Sequence, residues 1–381
     1  MIKVKEVTTK KELHAFINYP LELFKGVEPF SPYIFEDEIV NLTPELNPAS
    51  AWCDFKIFLA YQDNKIVGRI AGIISNYANK KYNRKRVRFN RIDMIDDINV
   101  TKALIAAVEA WGKENGMTEI VGPLGYSDQD KEGLLVEGFE YMNMFATFYH
   151  FPYYKDHLVK LGFIEDAVWV EHRIFIPEKV DPRYKKINEH IKKRYKVKVK
   201  KFKHKREIKP YVRAALSLMN TAYAHLYGYV PIDENLMDVL GKQYYPLINV
   251  RYLSVIVNEA EELVAFGLAI PSPVFALKKI NGKLFPFGFP RFLRALKRSK
   301  QLDLLLVAIE PELKNSGIVN LILEQILENA IEDKIEYAET GPQLEWNKEV
   351  QGLWKNFDHI NHKKRICYVK KIDGVTNEKK K

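Results

Sequence analysis

The chain predicts a mixed α/β protein built as two similarly ordered halves, each a mostly antiparallel mixed sheet flanked by helices. Three observations carry this. One succession of signals can be read twice along the sequence: strand, helices, hairpin, further strand, helix, short strand, helix, closing strand. A composition break at 177–195, with Pro177, Pro182 and the onset of a lysine-rich run, separates the two readings. At 381 residues the chain is too long for one ordinary core and long enough for two. The expected partition is 1–178 and 179–381.

In the first half, Ile2–Val7 alternates as a strand, and Thr9-Lys10-Lys11-Glu12 has the pattern of a helix start with Thr9 as N-cap. After a proline-rich stretch, Lys56–Gln62 and Ile66–Ser75 are strands joined at Asp63-Asn64-Lys65, a hairpin signal. Arg86–Ile95 continues the meander. Val100–Asn115 carries Leu104, Ala107, Val108 and Trp111 at helical spacing and stops before Gly116, where a C-terminal glycine is expected. Glu119–Pro123 is a short buried strand, Tyr153–Gly162 a helix and Ala167–Ile176 a closing strand.

The second half repeats the order. Tyr195–Phe202 alternates Val and Lys as an edge strand would, followed by helices near Lys209–Leu226 and Asp233–Tyr244. Tyr252–Asn258 and Leu263–Ile270 form a hairpin. Leu302–Ile309 is the fourth strand, Gly317–Asp333 a helix and Ile335–Thr340 the fifth strand. Asn347–Phe357 is expected as the last long helix and Lys364–Lys371 as the strand that closes the sheet.

Within that order, Leu302–Asn320 carries the strongest functional signal. The apolar run Leu304–Ile309 ends at Glu310-Pro311, and a polar loop leads through Gly317 into a helix. A helix start after a glycine turn offers free backbone N–H groups and a positive dipole end to an anion. The turn Lys314-Asn315-Ser316-Gly317-Ile318-Val319 resembles the pyrophosphate-binding turn of the GCN5-related N-acetyltransferase (GNAT) superfamily, Gln/Arg-x-x-Gly-x-Gly/Ala, with Lys as the basic leader and Val at the last position. The order of elements is also that of the superfamily, so the whole chain resembles two tandem GNAT-like domains. Val67-Gly68-Arg69-Ile70-Ala71, Gly122-Pro123-Leu124, Glu137-Gly138-Phe139 and Lys364-Arg365 are similar to a bacterial two-domain group within it.

The resemblance implies splayed fourth and fifth strands in each domain, with acetyl-CoA or another acyl-CoA as co-substrate in the gap. It places the cofactor on Val307 and Ile309 of the fourth strand, on Lys314, Asn315, Ser316, Gly317, Ile318 and Val319 of the turn, and on Asn347. An N-cap role accounts for Asn347 equally well. Amine acylation needs a group to accept the amine's proton; Glu339, at the end of the fifth strand, is the candidate base. The superfamily's usual tyrosine acid is replaced by Leu158 in one half and Trp354 in the other. In the first half, Asp96-Asp97 occupies the place of the phosphate turn, so coenzyme A is expected only in the second.

The remaining features narrow the field. Cys53 and Cys367 form neither a disulfide framework nor a metal-ligand spacing. The N-terminus lacks a signal-peptide core, and no apolar run approaches the ~18 residues of a spanning helix; a cytoplasmic protein is expected. The net charge of +10 is concentrated: residues 183–209 hold 14 Lys/Arg and two acids, leaving the rest slightly acidic. Residues 278–300 hold eight Lys/Arg, no acid and four phenylalanines. A solvated linker with an edge strand, and a lid, are the favoured readings of these segments; nucleic acid or an anionic membrane is the less favoured partner. The leading functional expectation is an acyl-CoA-dependent N-acyltransferase acting on a small-molecule or peptide amine. The alternatives are a non-catalytic binding protein of the same fold and an aminoacyl-tRNA-dependent ligase of the peptidoglycan-bridge type.

Overall fold

The computed structural model describes residues 1–372. The first half runs β1 (Ile2–Glu6), α1 (Lys10–Leu23), α2 (Phe35–Asn41), β2 (Cys53–Gln62), β3 (Lys65–Ser75), α3 (Asn76–Lys81), β4 (Arg86–Met94) and α4 (Ile98–Glu114). It continues with β5 (Glu119–Gly122), β6 (Leu134–Glu137), α5 (Tyr153–Lys160) and β7 (Ile164–Phe175). The second half runs α6 (Pro182–Tyr195), β8 (Lys198–Lys200), α7 (Lys209–Ala222), α8 (Glu234–Tyr244), β9 (Leu253–Val257), β10 (Leu263–Pro271), α9 (Val274–Ile280) and α10 (Gly288–Leu296). It ends with β11 (Gln301–Ile309), α11 (Val319–Glu332), β12 (Tyr337–Thr340), β13 (Gln343–Leu344), α12 (Lys348–Gly352) and β14 (His359–Lys371).

Local signals are realised as read. Thr9 caps α1 in a reciprocal capping box with Glu12. The helix that follows the fourth strand packs on the sheet in both halves by the same device. On β3, a Cβ at Gly68 would lie 2.8 Å from Leu104 of α4; on β10, one at Gly267 would lie 2.2 Å from Ile322 of α11. Only glycine lets these helices lie so close. The lysine-rich region differs from its expectation: Asp181 caps α6 where a linker was expected, and the strand after it shortens to Lys198–Lys200. Ile191 of α6 is buried beside Ile318 and Leu321, so this helix belongs to the core. The expected long helix from Asn347 to Phe357 is a short α12 and a 3₁₀ turn, Leu353–Asn356.

The two halves form one continuous sheet, in the order β1-β2-β3-β4-β5-β14-β7-β12-β11-β10-β9-β8. The closing strands are exchanged. β14, the last strand among the described residues, lies against β5 with Tyr368 opposite Gly122, and against β7 with Arg365 opposite Trp169. β7, expected to close the first half, pairs instead with β12 of the second, Arg173 opposite Glu339. Ile366, Tyr368 and Ile372 therefore complete the core that α4 covers in the first half. Among the described residues no helix is long and apolar enough to cross a membrane.

Candidate functional site at the splayed strands

β11 and β12 pair in parallel from Gln301/Tyr337 to Leu304/Thr340. Beyond that point β11 continues to Ile309, whereas the other chain turns away and pairs Gln343 and Leu344 with Val170 and Trp169 of β7. A parallel pair that loses one member leaves a gap with a free backbone edge. β10 takes the opposite edge of β11, with Gly267 facing Val307 and Ala265 facing Ile309. Buried backbone groups need partners, and at Val307 the partner is Tyr223, the residue that ends α7. Its hydroxyl donates to the Val307 carbonyl at 2.7 Å and accepts from the Val307 amide at 3.2 Å. Burial raises this phenol to about 12, so it stays neutral.

The turn beyond β11 presents amides. Gly317 adopts φ +80°, a left-handed backbone that favours glycine. The Leu313, Lys314 and Ser316 amides bond within the turn, and the Ile318 amide is taken by Ser316 Oγ at 3.2 Å. Among the described residues the amides of Asn315, Gly317 and Val319 make no hydrogen bond. Three unpaired N–H groups at the N-terminus of a 14-residue helix fit an anionic pyrophosphate. Lys314 is held by Glu349 of α12 at 2.7 Å, an exposed pair of little worth that a phosphate would displace. Asn347 precedes α12, but its side chain makes no cap bond and stays available.

No family model matches the chain. Protein YghO of Escherichia coli K12 is 27% identical over 380 residues, covering 97% of this chain and 95% of that one. A bacterial ceramide synthase of Caulobacter vibrioides is 28% identical over 310 residues, covering 78% and 77%. Among solved structures, a tandem GNAT protein from the clavulanic acid biosynthesis pathway superposes with a TM-score of 0.57 at 8% identity, covering 99% of this chain and 100% of that one. The chain has the tandem GNAT fold.

In this tandem GNAT fold the gap of the first half is filled. β4 and β5 pair only from Arg86/Glu119 to Arg88/Val121. Beyond them Arg91 is clamped by Glu38 (2.7 Å) and Asp130 (3.0 Å), and Arg88 donates to the Gly125 carbonyl at 2.8 Å. Arg69 meets Asp93 at 2.7 Å. At the start of α4, Asp97 takes the Asn99 amide with its side chain and the Val100 and Thr101 amides with its carbonyl. These three amides are engaged.

The exchanged strands build a charged core beside the open gap. Glu339 is buried; Arg173 Nε donates to it at 2.7 Å, His362 Nε2 lies 2.6 Å away and Lys363 Nζ 3.4 Å away. Burial alone would raise this carboxyl, but the His362 contact and the charges of Lys363 and Arg173 outweigh it and hold it at about 2. A carboxylate so acidic takes up a proton poorly near neutral pH, so Glu339 suits an ion-pair role and not the base expected of it. Lys363 also reaches Glu171, which is paired with Arg365. His172, whose amide donates to Thr340 Oγ1 at 2.8 Å, has both ring nitrogens buried without a partner among the described residues. Burial, then His359 and His362, lowers it to about 4.

Two carboxylates that sequence reasoning passed over lie across the seam from Tyr223. Asp128 accepts from the Val230 amide at 3.4 Å, and the Glu132 carboxylate lies 3.9 Å from where a Cβ of Gly228 would sit. Segment 223–230 is fixed there by Lys81, which donates to the Ala224 and Tyr229 carbonyls at 3.1 Å. Burial raises Asp128 to about 6; burial and then Asp128 raise Glu132 well above its ordinary value. The acid-rich run Asp128-Gln129-Asp130-Lys131-Glu132 was the only trace of this in the sequence. Nothing in the letters marked Tyr223.

Proposed function

We propose that this protein is an acyl-CoA-dependent N-acyltransferase that binds its acyl donor at the β11–β12 gap and receives an amine from the seam between the halves. The observation that carries this reading is the combination of an opened strand pair with three unpaired amides at the start of α11. The likeness to a bacterial ceramide synthase supports a lipid-like amine as acceptor. Acyl-CoA would supply the thioester carbonyl. Asn315, Gly317 and Val319 would hold its phosphates, Lys314 would add a cation, and Asn347 and the Val307–Ile309 edge would align its arm once Tyr223 gives up its bonds to Val307.

For the proton, Asp128 and Glu132 suit the task better than Glu339. Burial raises both carboxyls, Glu132 well above its ordinary value and Asp128 to about 6, so Asp128 is mostly ionised at neutral pH and can accept the amine's proton. A base must be deprotonated to act, so turnover is expected to rise with pH through about 6 and then level off. Asp128→Asn is expected to lower turnover by about 10²-fold or more without altering donor affinity. Wild-type turnover in that variant would assign the proton elsewhere.

Donor binding is tested by thermal shift with acetyl-CoA and with a long-chain acyl-CoA, since a ligand of the native state raises its apparent stability. Gly317→Asp is to be compared with Gly317→Ala. Both suffer the positive φ and the contact with Ile191, 3.1 Å from a Cβ, but only the aspartate repels phosphate. Loss of the shift in the aspartate variant beyond that in the alanine variant is expected; equal shifts would remove the phosphate site from this turn. One observation favours a second reading, a binding protein without catalysis: Tyr223 already satisfies Val307, as a closed cleft would require. Donor binding without acyl transfer to any amine would support it.

A further inference from the structure

Between 183 and 209, Arg183, Lys185, Lys192, Lys196, Lys198 and Lys200 pair with nearby carboxylates, whereas the other eight Lys/Arg of the segment make no ion pair with any described residue. In the α9–α10 region, Lys279, Lys283, Arg291, Arg294, Lys297 and Arg298 make no ion pair with any described residue. The same region exposes apolar side chains. Phe287 is 79% exposed, Phe285 65%, Phe275 45% and Leu293 37%.

The hairpin's inner face already supplies what the core needs: Val274, Ala276, Leu277, Phe292 and Leu296 are buried. The outer aromatics are therefore not required for packing. They are also held outward. Glu36 of α2 accepts from the Leu284 and Phe285 amides at 3.3 and 3.1 Å, and the Phe35 amide donates to the Gly282 carbonyl at 2.9 Å. Phe285 stacks on Phe289 with centroids 6.2 Å apart. An open recess of about 360 Å³, lined by His14, Asn18, Phe35, Glu36, Ile39, Lys283 and Phe285, lies beside the tip.

We infer that the α9–α10 hairpin docks this protein on an anionic lipid bilayer, with Phe285 and Phe287 entering the interface and the six unpaired cations facing lipid phosphates. Charge complementarity identifies the occupant. Aromatic rings settle at the headgroup boundary, and each nearby Lys or Arg strengthens attraction to an anionic surface. The inference stands on this surface and not on the acyltransferase reading.

The test is flotation of the full chain with vesicles of phosphatidylcholine alone or with about 30% phosphatidylglycerol. Binding to the anionic vesicles is expected, falling about tenfold or more in neutral vesicles and at about 0.5 M salt. The pair Phe285→Ser with Phe287→Ser, and the triple Arg291→Ala, Arg294→Ala, Arg298→Ala, should each weaken binding about tenfold while leaving thermal unfolding unchanged. Lys192→Ala with Lys193→Ala and Lys196→Ala should leave it intact, because that segment is not part of the surface. Equal binding by the hairpin variants and the wild type would overturn the inference. So would equal affinity for single-stranded RNA that persists without the two phenylalanines, since that marks a general polyanion surface.

Discussion

A chain of residues 1–178 made alone is expected not to fold, and appending residues 359–372 through a flexible linker is expected to restore cooperative unfolding. β14 lies between β5 and β7, so without it the first half loses the middle of its sheet. Ile366, Tyr368 and Ile372 leave its core, each worth about 2 kcal/mol of burial. Glu171 also loses Arg365 and Lys363, and a buried charge without its partner costs about 3–5 kcal/mol. Together these reach about 9–11 kcal/mol, comparable with the roughly 5–15 kcal/mol that holds a domain folded. Far-ultraviolet circular dichroism and a urea titration decide the matter. A cooperative, native-like 1–178 would show that the exchanged strands are dispensable.

Glu339→Gln is expected to destabilise the full protein at neutral pH by about 3 kcal/mol, because it leaves Lys363 and Arg173 short of a carboxylate in a buried site. The sign of the pH dependence follows from its acidic pKa. The carboxyl titrates near 2 in the folded chain and at 4.5 ordinarily, so between those values the unfolded chain binds more protons. Its contribution is complete above 4.5 and is lost as pH falls through about 2, on the order of 3 kcal/mol in all. Urea unfolding of wild type and variant should therefore differ fully above pH 4.5 and converge as pH falls through about 2. His172 acts in a higher window. Its pKa of about 4, below the ordinary 6.5, makes protonation favour unfolding, so stability also falls as pH drops from 6.5 through 4. A variant within about 0.5 kcal/mol of wild type at pH 7 would mean that Glu339 is not central to the charged core.

What the sequence determined by itself was local. Alternation in Lys56–Ser75, the Thr9/Glu12 cap and the strand-to-Gly317 turn each depend on residues a few positions apart, and each appears in the structure as read. The open amides of Asn315, Gly317 and Val319 follow from the same short-range geometry. Tertiary structure decided everything that depends on which distant residues become neighbours. Alternation assigns a strand's faces but not its partners, so the exchange of β7 and β14 left no mark in the letters. Glu339 sits at a legible strand end, but its acidity comes from Arg173, His362 and Lys363, the first 166 positions away. Tyr223 reaches Val307 across 84 positions. The cations of 183–209 and of 278–300 look alike in sequence; only the fold pairs six of the first group with carboxylates and sets the second beside exposed phenylalanines, because charge is neutralised by neighbours in space and not by neighbours along the chain.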